Sequence, residues 1–335
     1  MRKVLFLVLI IDQASLFRRR HQWVSSGRRY KFGDGVYVWL NNCGNTFQDP
    51  NMIIQSFAHT AGGWCVEKHI RLVADIKNTG RADILKFGYY PCVFVSLNNG
   101  RGSFAPVKLA LADFGYKAGI WRIERHLRFL GDVYGTGMLD ISFGEYNVLI
   151  GRNNGDGSFQ LVQAVINDMC FSAGWCTEKH LRFLGDLSEN GRVDLIGFGD
   201  NGVSVALNND NGTFQAPKLV LKRLWLQCRR RVKKNPRFFA DITGNKAGDI
   251  VGFGNNGVYV AINNVDGTFQ PAKKVIDDLA YDAGWRVEKH LRFPVDLTGD
   301  GCADIVGFGE SAVYVSFNNG KGNFGPVQKL LSEFA

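Results

Sequence analysis

Residues 284–324 read GWRVEKHLRFPVDLTGDGCADIVGFGESAVYVSFNNGKGNF, the best-kept copy of a unit that recurs along the chain. Phe-Gly pairs begin at Phe32, Phe87, Phe143, Phe198, Phe253 and Phe308, spaced by 55, 56, 55, 55 and 55 residues. Each is followed by an Asn-Asn pair, starting at Asn41, Asn98, Asn153, Asn208, Asn263 and Asn318. Six copies at one period mark a repeat array. Within the unit, short alternating runs such as GVSVALNN and GVYVAINN are punctuated by Gly, Asn and Asp, and no 3.6-residue periodicity is long enough for a core helix. In ERHLRFLGDV the alternation puts His126, Arg128 and Asp132 on one strand face and Leu127 and Phe129 on the other. Four short strands in ~55 residues, repeated radially, describe a blade, so the expected fold is an all-β propeller of four-stranded antiparallel blades, six in number.

The expected blade units fall at about residues 1–62, 63–119, 120–173, 174–228, 229–283 and 284–335, all within one domain, 1–335. The first keeps only its second half. Residues 1–30 are atypical: either the run LFLVLIID stands in for a degraded first strand, which we prefer, or the segment is foreign to the fold. Arg2-Lys3 before the apolar run Val4 to Ile11 is signal-like, but the run is short and the following Asp12-Gln13-Ala14-Ser15 is a poor cleavage site, which leaves the compartment open between secreted and cytoplasmic. The fifth unit is also eroded, with Arg230 and Asn235 where the others carry Trp and His.

With 335 residues, 45% of them hydrophobic, the chain is long enough for one or two ordinary domains, and the period argues for a single array. The formal charge of +9 is spread over the units. The two basic clusters, Arg18 to Arg20 and Arg229 to Arg231 with Lys233 and Lys234, sit where the repeat is most damaged, which argues against a nucleic-acid partner. Seven cysteines at unrelated repeat positions give neither zinc spacing nor a disulfide framework, so reduced thiols are expected. No stretch reaches the ~20 apolar residues of a membrane span.

Two constellations carry chemistry. The loop DLTGDGCAD places Asp296, Thr298, Asp300 and Asp304 at positions one, three, five and nine, with Gly301 at six permitting a sharp turn, and Cys302 at seven is included in the candidate metal set. Oxygen ligands at that spacing suit Ca²⁺. Position twelve is Gly307 and not the Glu of an EF-hand, and the alternative is an Asp-rich turn whose carboxylates accept backbone N–H bonds. Asp186, Ser188, Asn190 and Asp194 repeat the pattern with weaker ligands. The second constellation is Trp-x-x-Glu-Lys/Arg-His-x-Arg, at Trp64, His69 and Arg71; Trp121, His126 and Arg128; Trp175, His180 and Arg182; and Trp285, His290 and Arg292. These sets are sugar pockets, with an aromatic ring against a pyranose face and His and Arg bonding its oxygens, or glue between blades, with Glu67, Glu124, Glu178 and Glu288 neutralising the arginines. Duplication copies core and ligand residues alike, so the residues leave both open.

The phrases GWRVEKHLRF, DLTGDGCADIVGFG, GVYVAINN and DGTFQ resemble the FG-GAP (VCBS-type) repeats of calcium-binding β-propellers. They are most similar to the fungal lectin family typified by the Psathyrella velutina lectin, whose fold resembles integrin α-chain propellers. The match covers residues 31 to 335. It implies Ca²⁺ as cofactor at the Asp296 loop and recognition of terminal N-acetylglucosamine, in some members also sialic acid, by the Trp/His/Arg sets between blades. Arg20 stands where the first loop needs Asp, and Arg230 and Asn235 depart from the fifth set. Seven-bladed relatives make an incomplete seven-bladed ring the alternative architecture. The expected function is therefore a multivalent lectin that binds glycans or glycoproteins. The alternative is a calcium-binding, integrin-like adhesion or scaffold propeller that binds protein. No nucleophile and base occur at a single asymmetric place, so no enzyme is expected.

Overall fold

The computed structural model describes residues 35–38, 51–58, 60–64, 68–90, 92–100, 102–117, 121–122, 124–138, 140, 144–222 and 234–332. The LFLVLIID run, both basic clusters up to Lys233, Arg230, and Cys43, Cys65 and Cys228 lie outside these residues. Among the described residues every regular element is a strand. Four repeats each form a four-stranded antiparallel sheet in chain order. The second repeat uses Ile70–Ala74, Asp83–Phe87, Val93–Ser96 and Lys108–Leu111; the fourth uses Arg182–Gly185, Asp194–Gly199, Gly202–Ala206 and Lys218–Lys222. The fifth uses Arg237–Ala240, Asp249–Phe253, Val258–Ala261 and Lys273–Ile276; the sixth uses Arg292–Val295, Asp304–Phe308, Val313–Ser316 and Gln328–Leu331. In the first repeat Val36–Val38 pairs with Asn51–Ile54, and the third repeat contributes strands Val148–Ile150 and Gln163–Ile166.

Burial follows strand position. Asp83–Phe87 and Asp249–Phe253 are buried at every residue, because these second strands are covered on both faces, so that even Asp83, Lys86 and Asp249 are buried among apolar neighbours. Third strands alternate: Val258 and Val260 face the core while Tyr259 is half-exposed. A register shift recurs between the third and fourth strands, at Val203/Ser204, Val258/Tyr259 and Val313/Tyr314, the local twist that a β-bulge adds.

The chain divides into two compact units. One runs to Leu130 and includes Met138–Ser142 and Leu149–Gln163; the other comprises Gly131–Gly137, Phe143–Val148 and Ala164–Ala335. Inside each, the apolar clusters bridge consecutive repeats: Ile242, Val251 and Phe253 of the fifth repeat pack with Trp285, Ala303 and Ile305 of the sixth. Leu187, Ile196 and Phe198 of the fourth pack with Ile250, Ala261 and Phe269 of the fifth. This nearest-neighbour packing is what a repeat array requires.

A polar clamp accompanies the apolar one. The buried Asp that opens each second strand accepts two backbone N–H bonds. Asp304 takes Leu297 and Asn318, Asp249 takes Ile242 and Asn263, and Asp194 takes Leu187 and Asn208. The Asn side chain then donates to a carbonyl one repeat back: Asn318 to Ile242 at 2.7 Å, Asn263 to Leu187 at 3.0 Å, Asn208 to Val133 at 2.8 Å and Asn153 to Ile76 at 2.8 Å. The first Asn of the pair is thus a link between repeats in the third to sixth, whereas Asn98 donates to Ala82 C=O of its own repeat at 3.0 Å. Burial pushes the Asp194 and Asp249 carboxyls up to about 6, against the two N–H bonds that pull each down.

Candidate functional site

The segment from Trp to His is a turn and not the strand that its alternation suggests. His290 N–H bonds Arg286 C=O at 2.7 Å, and Lys289 N–H bonds the same carbonyl at 3.2 Å. The fourth repeat does the same through Cys176 C=O, and the third through Arg122 C=O. The strand starts only at Arg182 or Arg292. The turn also fixes the imidazole: Nδ1 accepts the N–H of Arg122 in His126 (2.9 Å), of Cys176 in His180 (3.2 Å) and of Arg286 in His290 (3.0 Å). A neutral imidazole so held carries its proton on Nε2. Burial depresses the affinity of His180 and His290 for a second proton, against the raising effect of the carboxylate beside each, so both are neutral at pH 7.

The Trp and Arg of the sets lie deeper than a sugar contact would. Trp121 and Trp285 are buried, and Trp64 and Trp175 half-buried. The indole N–H of Trp175 donates to Asp168 at 3.1 Å and that of Trp285 to Asp278 at 3.2 Å. Arg182 Nη1 donates to Met169 C=O, Arg292 Nη1 to Leu279 C=O and Arg71 Nε to Phe57 C=O. Phe57, Met169 and Leu279 all have positive φ, so the arginine brackets a strained residue where the chain crosses to the next repeat. Arg292 further lies 5.3 Å from the Phe253 ring and 5.9 Å from Trp285, and Arg128 lies 5.6 Å from Phe87 and 5.3 Å from Trp121. Glu124, Glu178 and Glu288 are exposed on the turns. Opposite Arg182 and Arg292 in the sheet stand Gly197 and Gly307, where a Cβ would approach the Trp175 and Trp285 rings to 2.5 and 2.7 Å. In the second repeat this position is Lys86, opposite Arg71, its Nζ 3.1 Å from the Phe57 ring centre and 3.9 Å from Trp64. Burial and then Arg71 push the Lys86 ammonium down to about 5.

The surface rim at the turn is built by residues the sequence reading passed over. In the fourth and sixth repeats the residue after the Phe-Gly pair faces the His of its own repeat: Asp200 lies 3.5 Å from His180 Nε2 and Glu310 3.8 Å from His290 Nε2. Asn255 lies 3.5 Å from Asn235 Nδ2, and the Tyr89 ring is 6.5 Å from the His69 ring. A separation of 20 residues in the second, fourth, fifth and sixth repeats, with acid opposite His in the fourth and sixth and Asn opposite Asn in the fifth, was the available signal. At the next junction an aromatic residue caps an Arg: Arg286 lies 3.7 Å over Tyr281, which Lys234 also covers at 3.7 Å, and Arg122 lies 3.8 Å over Tyr116. The rim therefore sets carboxylate or amide acceptors and half-exposed aromatic rings at repeat junctions over imidazoles whose Nε2 atoms, in His180 and His290, are buried and make no hydrogen bond.

The acidic loops fold as turns. Asp296 accepts the N–H groups of Gly299 at 2.6 Å and Gly301 at 3.0 Å and lies 3.4 Å from Thr298 Oγ1; Asp300 accepts the N–H of Cys302, and both oxygens of Asp304 serve the clamp. In the fourth repeat Asp186 accepts from Ser188, Asn190 and Gly191, and Asn190 from Arg192. Burial, followed by Asp300, Asp241, Asp296 and Asp304, raises the Cys302 thiol, so negative charge does gather there. Even so, among the described residues no three His, Cys, Asp or Glu side chains converge as a metal site. The donor types suit Ca²⁺, while the arrangement as folded is the Asp-rich turn. Cys92, Cys170, Cys176 and Cys302 are free thiols.

Among solved structures, a lectin from Agrocybe aegerita, described for its specific recognition of non-reducing terminal N-acetylglucosamine, is 55% identical with a TM-score of 0.86 over 91% of this chain and 76% of that one. The Photorhabdus luminescens Tc holotoxin pore is matched at 16% identity with a TM-score of 0.53 over 79% of this chain and 12% of that one, a likeness of fold alone. No family model and no curated protein matches the chain.

Proposed function

We propose, from the premise that this chain belongs to the fungal β-propeller lectin family of the Agrocybe aegerita protein, that it is a lectin for glycans ending in N-acetylglucosamine. The observation that carries the reading is the rim: a neutral imidazole whose Nε2, buried and without a hydrogen bond in His180 and His290, faces a surface carboxylate, and an aromatic ring at the neighbouring junction. A hexosamine offers matching hydroxyl donors and acceptors, an acetamido group and an apolar ring face. In this reading the Trp/His/Arg sets form the sites, with Trp and Arg as the floor and His and the rim as the contacts. Sialic acid, which carries the same acetamido group, is a second candidate ligand. In the proposed six-bladed, single-domain array several weak sites share one chain, and strength then comes from clustered glycans. Calcium is proposed beside this, at the Asp296 loop, where Asp296, Asp300 and Asp304 would exchange backbone bonds for the ion; no step of sugar recognition depends on it. Retention on immobilised N-acetylglucosamine, with release by the free sugar, tests the reading. Flow-through of folded protein on that matrix contradicts it.

A further inference from the structure

The turn that places His180 and His290 also ties each of them to one protonation state. Nδ1 accepts the N–H of the residue four positions back, Cys176 at 3.2 Å and Arg286 at 3.0 Å. A ring nitrogen accepts only while it carries no proton, so a second proton, on Nδ1, sets two N–H donors against each other. The cap on the turn and the imidazolium therefore exclude one another. Nothing on the other side of the ring holds it in place by a hydrogen bond: Nε2 is buried and makes none in either residue, and the two side chains are only 9% and 10% exposed. The inner faces meet indole, edge-on, at 5.4 Å from Trp175 and 5.2 Å from Trp285.

A charged ring has a partner within reach, but outside the pocket. Asp200 and Glu310 are exposed and lie 3.5 and 3.8 Å from the two Nε2 atoms. The other charged or titratable groups around His180 are Lys179, Arg182 and the Cys176 thiol, 3.9 Å from Nδ1; around His290 they are Lys289, Arg286 and Arg292. At each site cations outnumber the single acid, and Glu310 is shared with Lys289 at 2.9 Å. The surroundings thus favour a neutral ring under the turn, while an imidazolium is better placed outside, against the carboxylate. The fifth repeat has no such choice. Asn235, 2% exposed at the equivalent position, donates from Nδ2 to Phe253 C=O at 2.9 Å, and an amide does not titrate.

We propose that His180 and His290 are acid-operated latches: protonation at Nδ1 breaks the cap on the His turn, the ring swings out to Asp200 or Glu310, and the sugar site of that repeat is lost. The last step rests on the lectin reading above; the latch itself does not. The sign follows from burial, which makes both imidazoles bind the second proton less readily in the fold than in the unfolded chain. The capped form is therefore fully present above the unfolded value of ~6.5 and is lost as pH falls through the lower folded value. Beyond that point the competent fraction falls about tenfold per pH unit, and the apparent Kd for sugar at these repeats rises in proportion.

Nitrogen NMR of the intact chain, followed from about pH 8 to about pH 5, tests the latch, and calorimetric titration with the methyl glycoside of N-acetylglucosamine over the same range tests its consequence. The glycoside has no group that titrates there, so any pH dependence belongs to the protein. Both imidazoles should carry no proton on Nδ1 at the upper end and gain one below pH ~6.5. The amide resonances of Cys176 and Arg286 should shift with the same midpoints while the far-UV circular dichroism stays that of a folded sheet, and sugar sites should be lost together with them. His290→Asn, which imports the amide of the fifth repeat, should remove the acid response of the Arg286 amide and leave that of Cys176. A proton on Nδ1 at pH 8, or imidazoles that titrate while both amides stay still, overturns the latch. Amides that respond while sugar binding does not overturn its link to the site. Absence of sugar binding at every pH overturns the lectin reading, and the NMR arm then still decides the latch.

Discussion

Replacing Arg292 by Ala separates a structural bracket from a ligand contact. The guanidinium is 1% exposed, donates from Nη1 to Leu279 C=O at 2.7 Å, and lies between the rings of Phe253 and Trp285. Burial holds its pKa down to about 10, still above neutrality, so the bond lost is charge-assisted and contributes roughly 1.5–3 kcal/mol. Truncation also leaves a void beside two rings and an unanswered carbonyl at a positive-φ residue, while removal of a desolvated charge returns part of the loss. The net cost is about 2–4 kcal/mol. At roughly 2.1 cal/mol/K per residue, 335 residues give an unfolding entropy of about 0.7 kcal/mol/K, so 3 kcal/mol lowers Tm by roughly 4 °C. Arg292→Met, which keeps most of the volume and buries no charge, should lose less. Differential scanning calorimetry reads both, and a sugar titration on the same samples reads the number of sites. If Arg292→Ala melts with the parent but binds fewer sugars, the bracket argument is wrong and the arginine is a ligand residue.

Other perturbations test other parts of the structure. Lys86→Met should raise Tm at pH 7. The folded pKa of about 5 lies below that of an unfolded lysine, so the contribution of Lys86 is fully present only above the unfolded pKa near ~10.4 and is lost as pH falls toward 5. The gain from the substitution should therefore fade as melts are taken toward pH 10, and a gain independent of pH would refute the neutral-amine assignment. Asn263→Ala removes the clamp donor to Leu187 C=O and should cost about 1–3 kcal/mol in chemical denaturation, whereas a cost below 0.5 kcal/mol would show the clamp to be incidental. If calcium enters the Asp296 loop, saturating Ca²⁺ raises Tm and Asp300→Ala blunts the rise, and superimposable melts in Ca²⁺ and chelator remove the metal from the account.

The repeat and its strands were legible because side-chain alternation and a fixed spacing survive duplication: the runs from Val203, Val258 and Val313 are strands in the structure. The turn before them was not, since Glu-x-His-x-Arg continues the same alternation up to Arg292 while the backbone bond from His290 N–H to Arg286 C=O leaves no mark in side-chain type. The Trp/His/Arg sets were found as residues, but the depth of Trp285 and Arg292 was not, since a copied core residue looks like a copied ligand. The rim was missed for the opposite reason. Tyr89, Asp200, Asn255 and Glu310 share a position and no identity, so a search for repeated letters passes over them, and only their pairing with His69, His180, Asn235 and His290 gives them away. The acidic loops illustrate a further ambiguity: the spacing that wraps oxygens around a cation also lets Asp296 and Asp186 close a turn on backbone N–H groups.

The central claim, that the rim at the His turns recognises a terminal N-acetylhexosamine, is tested most directly by titrating the parent and His180→Phe with the methyl glycoside of N-acetylglucosamine in a calorimeter. His180 Nε2 and Asp200 form one such donor and acceptor pair, and the phenyl ring keeps the volume while removing the donor. The account predicts saturable binding at more than one site per chain for the parent, and for the variant one site fewer with the remaining affinity unchanged. An unchanged stoichiometry in a folded His180→Phe protein would contradict it.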